Sequence, residues 1–475
     1  MFKGRQRRMK KHLLGLLVSA ALAACAPVPT LPQAAARLQP EQTGLVADRV
    51  EAAQLAPDWW RQYGDESLNA LISKGLQDSP SLAAAKARVA RAAANTDRAS
   101  SESKPTFGID SQVNSTHYSS NGLFPPPYGG STWAYGNVEA TAGYEWDFFG
   151  RHEADLQAAL GGTKAAQADA AAARLSLSAQ IARSYFGLAR VCQQLDLLNT
   201  QIKLRSESVA LVRQRAQSGL DNRQDLRSAE APLEELQVQL QDLLAQGQTL
   251  RHQLAALTVQ PTDALASLSP TLPAVLEWQQ EPTLNLLGRR PDVVAARWRV
   301  EAATRDVDAV RTRFYPNVQL GASIGYNAFG LSNWLKSNSL QTGLGPSISL
   351  PLFDMGNLRG QLKGAAAEQD AAIAAYNGAV LDAVRDAADQ YSTLRANRVQ
   401  EQAQHQLLLN AQNQLSLAES RQQAGLGNRI PVLNARHYLI AQERQALDLK
   451  TQSLDAQVNL MRALGGGLDE AAMLK

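Results

Sequence analysis

Two periods of apolar and polar positions divide this chain. Over Phe107–Asn114 the period is two: Phe107, Ile109 and Val113 alternate with Gly108, Asp110, Gln112 and Asn114. A turn-rich stretch, Asn121–Gly130, precedes a cleaner run in which Ala134, Gly136, Val138, Ala140, Ala142, Tyr144 and Trp146 form one set and Asn137, Glu139, Thr141 and Glu145 the other. Such alternation is the mark of a strand with two unlike faces. It returns later: Val318, Leu320, Ala322, Ile324 and Tyr326 against Asn317, Gln319, Ser323 and Asn327, then Leu340, Thr342, Leu344, Ile348, Leu350 and Leu352 against Gln341, Gly343, Ser347 and Ser349. The expected strands are about 105–118, 132–147, 315–328 and 340–353.

Elsewhere the period is helical. Leu68, Leu71, Ile72 and Leu76, then Leu82, Ala85 and Val89, describe two helices meeting at Ser79-Pro80 and ending at Lys104-Pro105. Gly288-Arg-Arg-Pro-Asp-Val-Val opens another, which Tyr315-Pro316 ends. After each strand pair comes a long proline-free helical run, Arg151–Ser218 and Leu358–Ala424. At 1.5 Å per residue such a run reaches about 100 Å, so it requires neighbours along its whole length. Shorter return helices follow, Asp221–Leu257 (with Pro232 inside, expected to kink it or mark its first turns) and Asn428–Leu464.

Between each long run and its return helix lies a repeated segment. Arg215–Leu233 comes back as Arg421–Leu439 without a gap, with Arg215/Arg421, Gln217/Gln423, Gly219/Gly425, Leu220/Leu426, Asn222/Asn428, Arg223/Arg429, Ala229/Ala435 and Leu233/Leu439 identical. A glycine after a helical run closes it in the left-handed conformation, and an Asp or Asn just beyond caps the next. Each copy therefore reads as the tip of a helical hairpin, and the chain as a two-fold internal repeat: a first repeat over 58–257 with its tip at 217–224, a linker over 258–287, a second repeat over 288–464 with its tip at 423–430, and a tail over 465–475.

The strands have one apolar face and one too polar for a core, and no partner sheet is evident. A lipid-facing sheet with a wet inner face fits this pattern. A soluble layer between helices is the alternative. In lipid every backbone N–H and C=O must be paired, and four strands are too few to close a barrel. A membrane reading therefore requires several copies to share one barrel.

Charge and the N-terminus sharpen the picture. The chain carries 47 Lys and Arg against 44 Asp and Glu, but six of the bases lie in the first 24 residues, which contain no acid. The remainder is slightly acidic, with no global basic signal for nucleic acid. Those six bases precede an apolar run, Leu13–Ala24, too short to span a bilayer, so residues 1–24 read as a signal peptide. The run ends in Leu22-Ala23-Ala24-Cys25, which resembles a bacterial lipobox. That resemblance implies a covalent lipid on Cys25 and, with Ala26 next, sorting to the outer membrane. Residues 25–57, with Pro27, Pro29, Pro32, Pro40 and Pro57, read as an extended leash. Trp59-Trp60 opens the folded body, as core or as membrane-interface aromatics. Cys192 reads as a small apolar residue in a packed helix.

Taken together these segments resemble the outer membrane efflux proteins of the TolC/OprM type, in the NodT-like lipoprotein branch. The resemblance covers Trp59 to Leu464. It is carried by the duplicated layout, by Leu68-x-x-Leu71-Ile72-x-x-Gly75-Leu76-x-x-Ser79-Pro80-x-Leu82-x-x-Ala85, by Tyr144-Glu-Trp-Asp-Phe-Phe-Gly-Arg151, by Gly288-Arg-Arg-Pro-Asp-Val293, by Leu350-Pro-Leu-Phe-Asp354 and by both tips. It implies an α+β membrane protein. Four transmembrane β-strands per chain would join a shared trimeric barrel of twelve strands, continued by a twelve-helix periplasmic tunnel. A small equatorial layer would come from Pro57–Asn69, Thr258–Pro282 and the tail.

The implied function is the passive outer-membrane duct of a tripartite efflux system. The implied partners are two further copies, a periplasmic membrane-fusion adaptor, an inner-membrane resistance-nodulation-division pump and outer-membrane lipid. Carried over by position, Gly219, Asp221, Arg223, Gly425, Asn428 and Arg429 would lie at the closed periplasmic entrance and adaptor dock. Relatives often place acidic residues in the second tip; here Gly427, Pro431 and Asn434 stand there, and Asp221 and Asp225 are the acidic residues of the first. Glu139, Glu145 and Gln319 are the expected lumen-lining residues.

Catalytic chemistry is not legible. The six histidines are scattered, and no phosphate-binding loop, nucleophile elbow or His-Glu-x-x-His occurs. Asp110, Glu139 and Glu145 read as lumen lining, and no enzyme activity and no cofactor beyond the lipid is expected. The competing account is a lipid-anchored periplasmic coiled-coil structural protein, which leaves the duplicated strands unexplained.

Overall fold

In the computed structural model, Asp65 opens the first helix, α1 (Glu66–Asp78), where its carboxylate accepts from the backbone N–H of Leu68 at 3.0 Å. Helix α2 (Pro80–Glu102) begins on a proline, at the one turn where a missing N–H is harmless. Strands β1 (Thr106–His117) and β2 (Thr132–Trp146) follow, then the long helix α3 (Arg151–Gln217) and its return helix α4 (Arg223–Leu257). The second repeat runs α5 (Pro291–Thr312), β3 (Asn317–Phe329), β4 (Leu340–Ser349), α6 (Met355–Gln423) and α7 (Arg429–Ala463). The residues described are 28–38, 56–277, 289–334, 336–351 and 354–467. The signal peptide, Cys25, most of the expected leash, the linker from 278 to 288 and the tail beyond 467 lie outside them.

The elements match the sequence expectation with two differences, at the end of the last strand and in the leash. Strand β4 ends at Ser349, before Leu350 and Leu352. Pro232 lies inside helix α4, as its tenth residue, as expected. The lost hydrogen bond is outweighed by packing on α3, where Leu236 and Leu243 bury against Val191 and Leu198. The expected leash is not loose where it is described, as its contacts in the first unit show.

The chain divides into two compact units. The first gathers Val89–Ala165, Ala296–Tyr376 and the N-terminal stretch ending at Arg37. Its strands form a single antiparallel sheet in the order β1-β2-β3-β4. Beside the sheet, Val307 and Phe314 of α5 bury against Leu358 and Leu362 of α6, and Val28 and Leu31 pack onto this cluster. The Ala35 N–H donates to Asp370 at 2.8 Å, and Arg37 pairs with Glu301 at 2.9 Å.

The second unit gathers Leu38–Arg88, Ala166–Ala295 and the chain from Asn377 on. Trp59 and Trp60 are core residues here, 0% and 3% exposed, not membrane-interface aromatics. They join Leu68 and Ile72 of α1, Ile181, Tyr185, Phe186 and Leu188 of α3, Leu254 of α4, and Leu454, Val458 and Met461 of α7. Burying each large side chain contributes about 1.5–3 kcal/mol. Tyr185 donates to Asp65 at 2.8 Å, the same carboxylate that caps α1, so this cap is fastened to α3. The linker is drawn into the cluster: Leu265 and Leu272 are buried, and the Gln457 side chain both accepts from the N–H and donates to the C=O of Leu276. Cys192 is half-buried against the same cluster.

Candidate functional site

The register divides the sheet into two unlike faces. Directly paired residues share a face, and Asn114↔Tyr135↔Phe329, Gln112↔Asn137↔Asn327, Asp110↔Glu139↔Gly325 and Thr141↔Ser323↔Gly343 all lie on one. The other carries Ile109↔Ala140↔Ile324↔Thr342, with Phe107, Val113, Val138, Leu344 and Ile348. Apart from Gly136, which lies under the Trp334 ring, this apolar face is largely uncovered: Phe107 is 82% exposed, Ile109 81%, Leu344 79% and Ile348 72%. Water is a poor solvent for a broad apolar surface of that kind, which marks a partner or a membrane. Strands of 10 to 15 residues meet or exceed the roughly 9–11 that cross a hydrocarbon core. At the helix-proximal end Tyr144, Trp146, Phe148, Phe149 and Tyr315 gather, with Phe149 and Tyr315 stacked at 4.6 Å. Aromatic girdles of this sort sit where a barrel meets the headgroups. Among the described residues β1 pairs only with β2 and β4 only with β3, so both edges of the sheet keep unpaired backbone groups.

Glu139, Glu145 and Gln319 share the polar face, as the alternation requires. Their situations differ. Glu139 lies opposite Asp110, two carboxylates on adjacent strands. Glu145 is tied down: Arg151 holds it at 2.6 Å, Gln319 donates to it at 3.3 Å, and the buried His152 ring approaches to 3.2 Å. Asp147 of the Tyr144–Arg151 motif accepts from the backbone N–H of Arg151 at 2.6 Å and of Glu153 at 3.2 Å, satisfying amides that the start of α3 leaves open. The motif is thus the joint that turns a strand into a helix.

The hairpin tips, in the second unit, have the same construction twice. Gly219 and Gly425 take φ of 75° and 72°. The Leu220 N–H reaches Arg215 C=O and the Leu426 N–H reaches Arg421 C=O, both at 2.9 Å, closing α3 and α6 with the bond pattern that a left-handed glycine permits. Asn222 then caps α4 in a reciprocal box with Asp225, its side chain accepting at 2.9 Å and Asp225 accepting at 3.0 Å. Asn428 caps α7 by accepting from the Ile430 N–H at 3.1 Å.

The charged residues of the tips are where the copies part. Arg215 grips Asp221 with two bonds of 2.8 and 2.9 Å, which holds that carboxyl below the usual carboxylate range. In the second tip Gly427 stands at the position of Asp221, and Arg421 is exposed. Arg429 instead reaches Glu207 on α3 at 2.8 Å, and this bond lowers the pKa of Glu207. Arg223, its counterpart, is exposed. Asp221 and Asp225 are both engaged within the first tip, one by Arg215 and the other in the capping box. Sequence reading missed Glu207, which lies outside the repeated segment. It also missed that Leu220 and Leu426, though identical between copies, are 69% and 80% exposed.

Among the described residues no cluster of His, Cys, Asp and Glu has the arrangement of a metal site, and no helix is long and apolar enough to cross a membrane.

Comparison with known proteins agrees with this geometry. The chain matches the outer membrane efflux protein family over residues 71–259 and 284–466. It is 31% identical over 463 residues to the multidrug resistance outer membrane protein MdtQ of Escherichia coli, covering 94% of this chain and 96% of that one. To the multidrug resistance outer membrane protein MdtP of the same species it is 32% identical over 451 residues, covering 91% of each. The crystal structure of the outer membrane protein VceC of Vibrio cholerae superimposes with a TM-score of 0.79 at 33% identity, covering 87% of this chain and all of that one. An amphipathic sheet uncovered on its apolar side, two long helical hairpins and these matches identify the chain as a member of the outer membrane efflux protein family.

Proposed function

We propose that three copies of this chain close a twelve-stranded barrel in the outer membrane, continued into the periplasm by their helices, and that this duct carries small molecules outward as the last component of a tripartite efflux system. The observation that carries the proposal is the sheet: an apolar face left bare, a polar face behind it, and two unpaired edges. Lipid covers the first, water fills the second, and neighbouring copies pair with the edges. No step of this reading needs bond chemistry; an inner-membrane pump supplies the work, and a periplasmic adaptor joins the two. A lipid on Cys25 anchors the N-terminus beside the barrel, and the contacts of Val28 and Leu31 with α5 and α6 support a chain held there. Relatives named for multidrug resistance favour small organic molecules as cargo.

The hairpin tips are the periplasmic entrance in this reading. Gly219 and Gly425 make the turns, and Asn428 caps α7. Asp221 and Arg429 fix the tip geometry through Arg215 and Glu207. Arg223, with the exposed Leu220 and Leu426, forms the surface an adaptor would meet.

The deciding experiment is the mass of the protein extracted by detergent from the outer-membrane fraction, measured by light scattering with the detergent subtracted. Three copies is the expected result. A monomer that stays soluble without detergent overturns the barrel and leaves a lipid-anchored coiled coil.

A further inference from the structure

The polar face of the sheet is lined by Asn, Gln, Asp, Glu, Thr, Ser and Gly along most of its length. Only at the end away from the helices does it carry large rings, Trp133, Tyr135 and Phe329. A wet surface gains nothing by showing three aromatics to water. They are half-buried because the β1–β2 loop folds onto them. Tyr128 packs against Trp133 and Phe329, each with ring centroids 5.2 Å apart. Tyr118 packs against Phe329 at 6.1 Å and against Phe124 at 4.9 Å, and Tyr135 against Phe329 at 5.5 Å. The base of the loop is sealed by Tyr118 N–H to Ser131 C=O at 3.0 Å and Gly130 N–H to Tyr118 C=O at 2.8 Å. The Trp133 indole donates to the Ser131 hydroxyl at 2.9 Å. The loop is thus fastened over the polar side of the sheet. At its tip Leu123 is 96% exposed beside the half-exposed Phe124, between the exposed Ser119, Ser120 and Asn121 on one side and Pro125, Pro126 and Pro127 on the other.

We infer that residues 118–131 form a lid on the outer mouth of the duct. Phe329 is the pin that holds the lid to the barrel wall, and Leu123 with Phe124 is the apolar edge that cargo passes. This rests on the barrel reading, since only in a closed barrel does the polar face enclose a passage that three such loops narrow. An apolar rim on an otherwise polar passage gives way to amphiphilic organic molecules leaving the cell. It resists bulky hydrophilic solutes entering from outside, because they must shed water to pass an unmatched surface.

The test uses the full-length protein in intact cells with Cys192→Ser as background and Ser323→Cys as reporter, on the polar face between the lid and the helices. Cells are treated from outside with a small and a bulky membrane-impermeant maleimide. The expected result is that the small reagent labels the reporter whether or not the lid is intact. The bulky one is expected to label about tenfold or more faster when Leu123→Ala/Phe124→Ala, or separately Phe329→Ala, is added. The two tip residues are exposed, so the double variant tests the lid even where Phe329→Ala impairs assembly. Equal labelling by the bulky reagent with and without the substitutions overturns the lid and leaves the barrel standing. Failure of both reagents to reach the reporter in every background overturns the wet lumen, and the lid with it.

Discussion

Arg213 of α3 and Glu230 of α4 bridge the first hairpin at 3.0 Å, and the residues 206 positions later, Glu419 of α6 and Arg436 of α7, bridge the second at 2.7 Å with the charges exchanged. The repeat has kept the pair and not the residues. Exposed pairs of this kind contribute about 0.2–1 kcal/mol each. Glu419→Arg is expected to lower the thermal midpoint slightly and Glu419→Arg/Arg436→Glu to restore it. A double-mutant cycle that returns no coupling would leave the bridge an ornament.

Arg429 and Glu207 fasten the second tip to a helix of the first hairpin. Glu207→Gln removes the charge and weakens both bonds. The expected outcome is faster amide hydrogen exchange over residues 424–430 with little change at 218–222, because the first tip is held internally by Arg215 and Asp221. The pair is surface-exposed, so salt should have the same effect on the unaltered protein. If this tip is the entrance, the substitution also raises single-channel conductance in planar bilayers.

Ser323 and Ile324 are neighbours on opposite faces of β3. Arginine at 324 faces lipid in the barrel reading and costs about 2–4 kcal/mol near the midplane, whereas arginine at 323 faces water and costs little. The amount of assembled trimer recovered from outer membranes should fall sharply for Ile324→Arg and Val138→Arg and hold for Ser323→Arg. Equal recovery of all three is incompatible with a lipid-facing sheet.

His437 of α7 is buried beside Leu433 and Ile440, and both ring nitrogens lack a partner in the structure. Burial, then the charge of Arg205, pushes its pKa down from the ordinary 6.5 to about 4. The unfolded chain therefore takes up a proton below 6.5 that the folded chain refuses until about 4. Stability from this group is whole above 6.5, falls as the pH drops between the two values, and is flat below. Thermal midpoints measured across that window should decline for the unaltered protein and decline less for His437→Gln.

Much of this could be read along the chain. Alternation at Ala134–Trp146 gave a strand whose pairing confirmed every assignment of face, because period two is a local property of the backbone. The tips were legible for the same reason: Gly219 and Gly425 adopt the left-handed conformation and Asn222 and Asn428 cap the next helices, all within a few residues. The docking of Val28 and Leu31 was not legible, since short proline-rich segments look extended whether they lie free or on a surface. Glu207 was invisible as the partner of Arg429 because 222 residues separate them. The lid was equally hidden: an Asn-Gly-Leu-Phe-Pro-Pro-Pro stretch announces a turn but not the side of the sheet onto which it folds.

The sequence by itself determined the elements, the duplication, the two faces of each strand and the tip turns, all of which follow from the spacing of side chains along a helix or a strand. The tertiary structure alone decided that the apolar face stays bare, that Trp59 and Trp60 are core, and which charges meet at the tips. Those outcomes depend on packing between segments far apart in the chain, where loop closure and burial outweigh local preference.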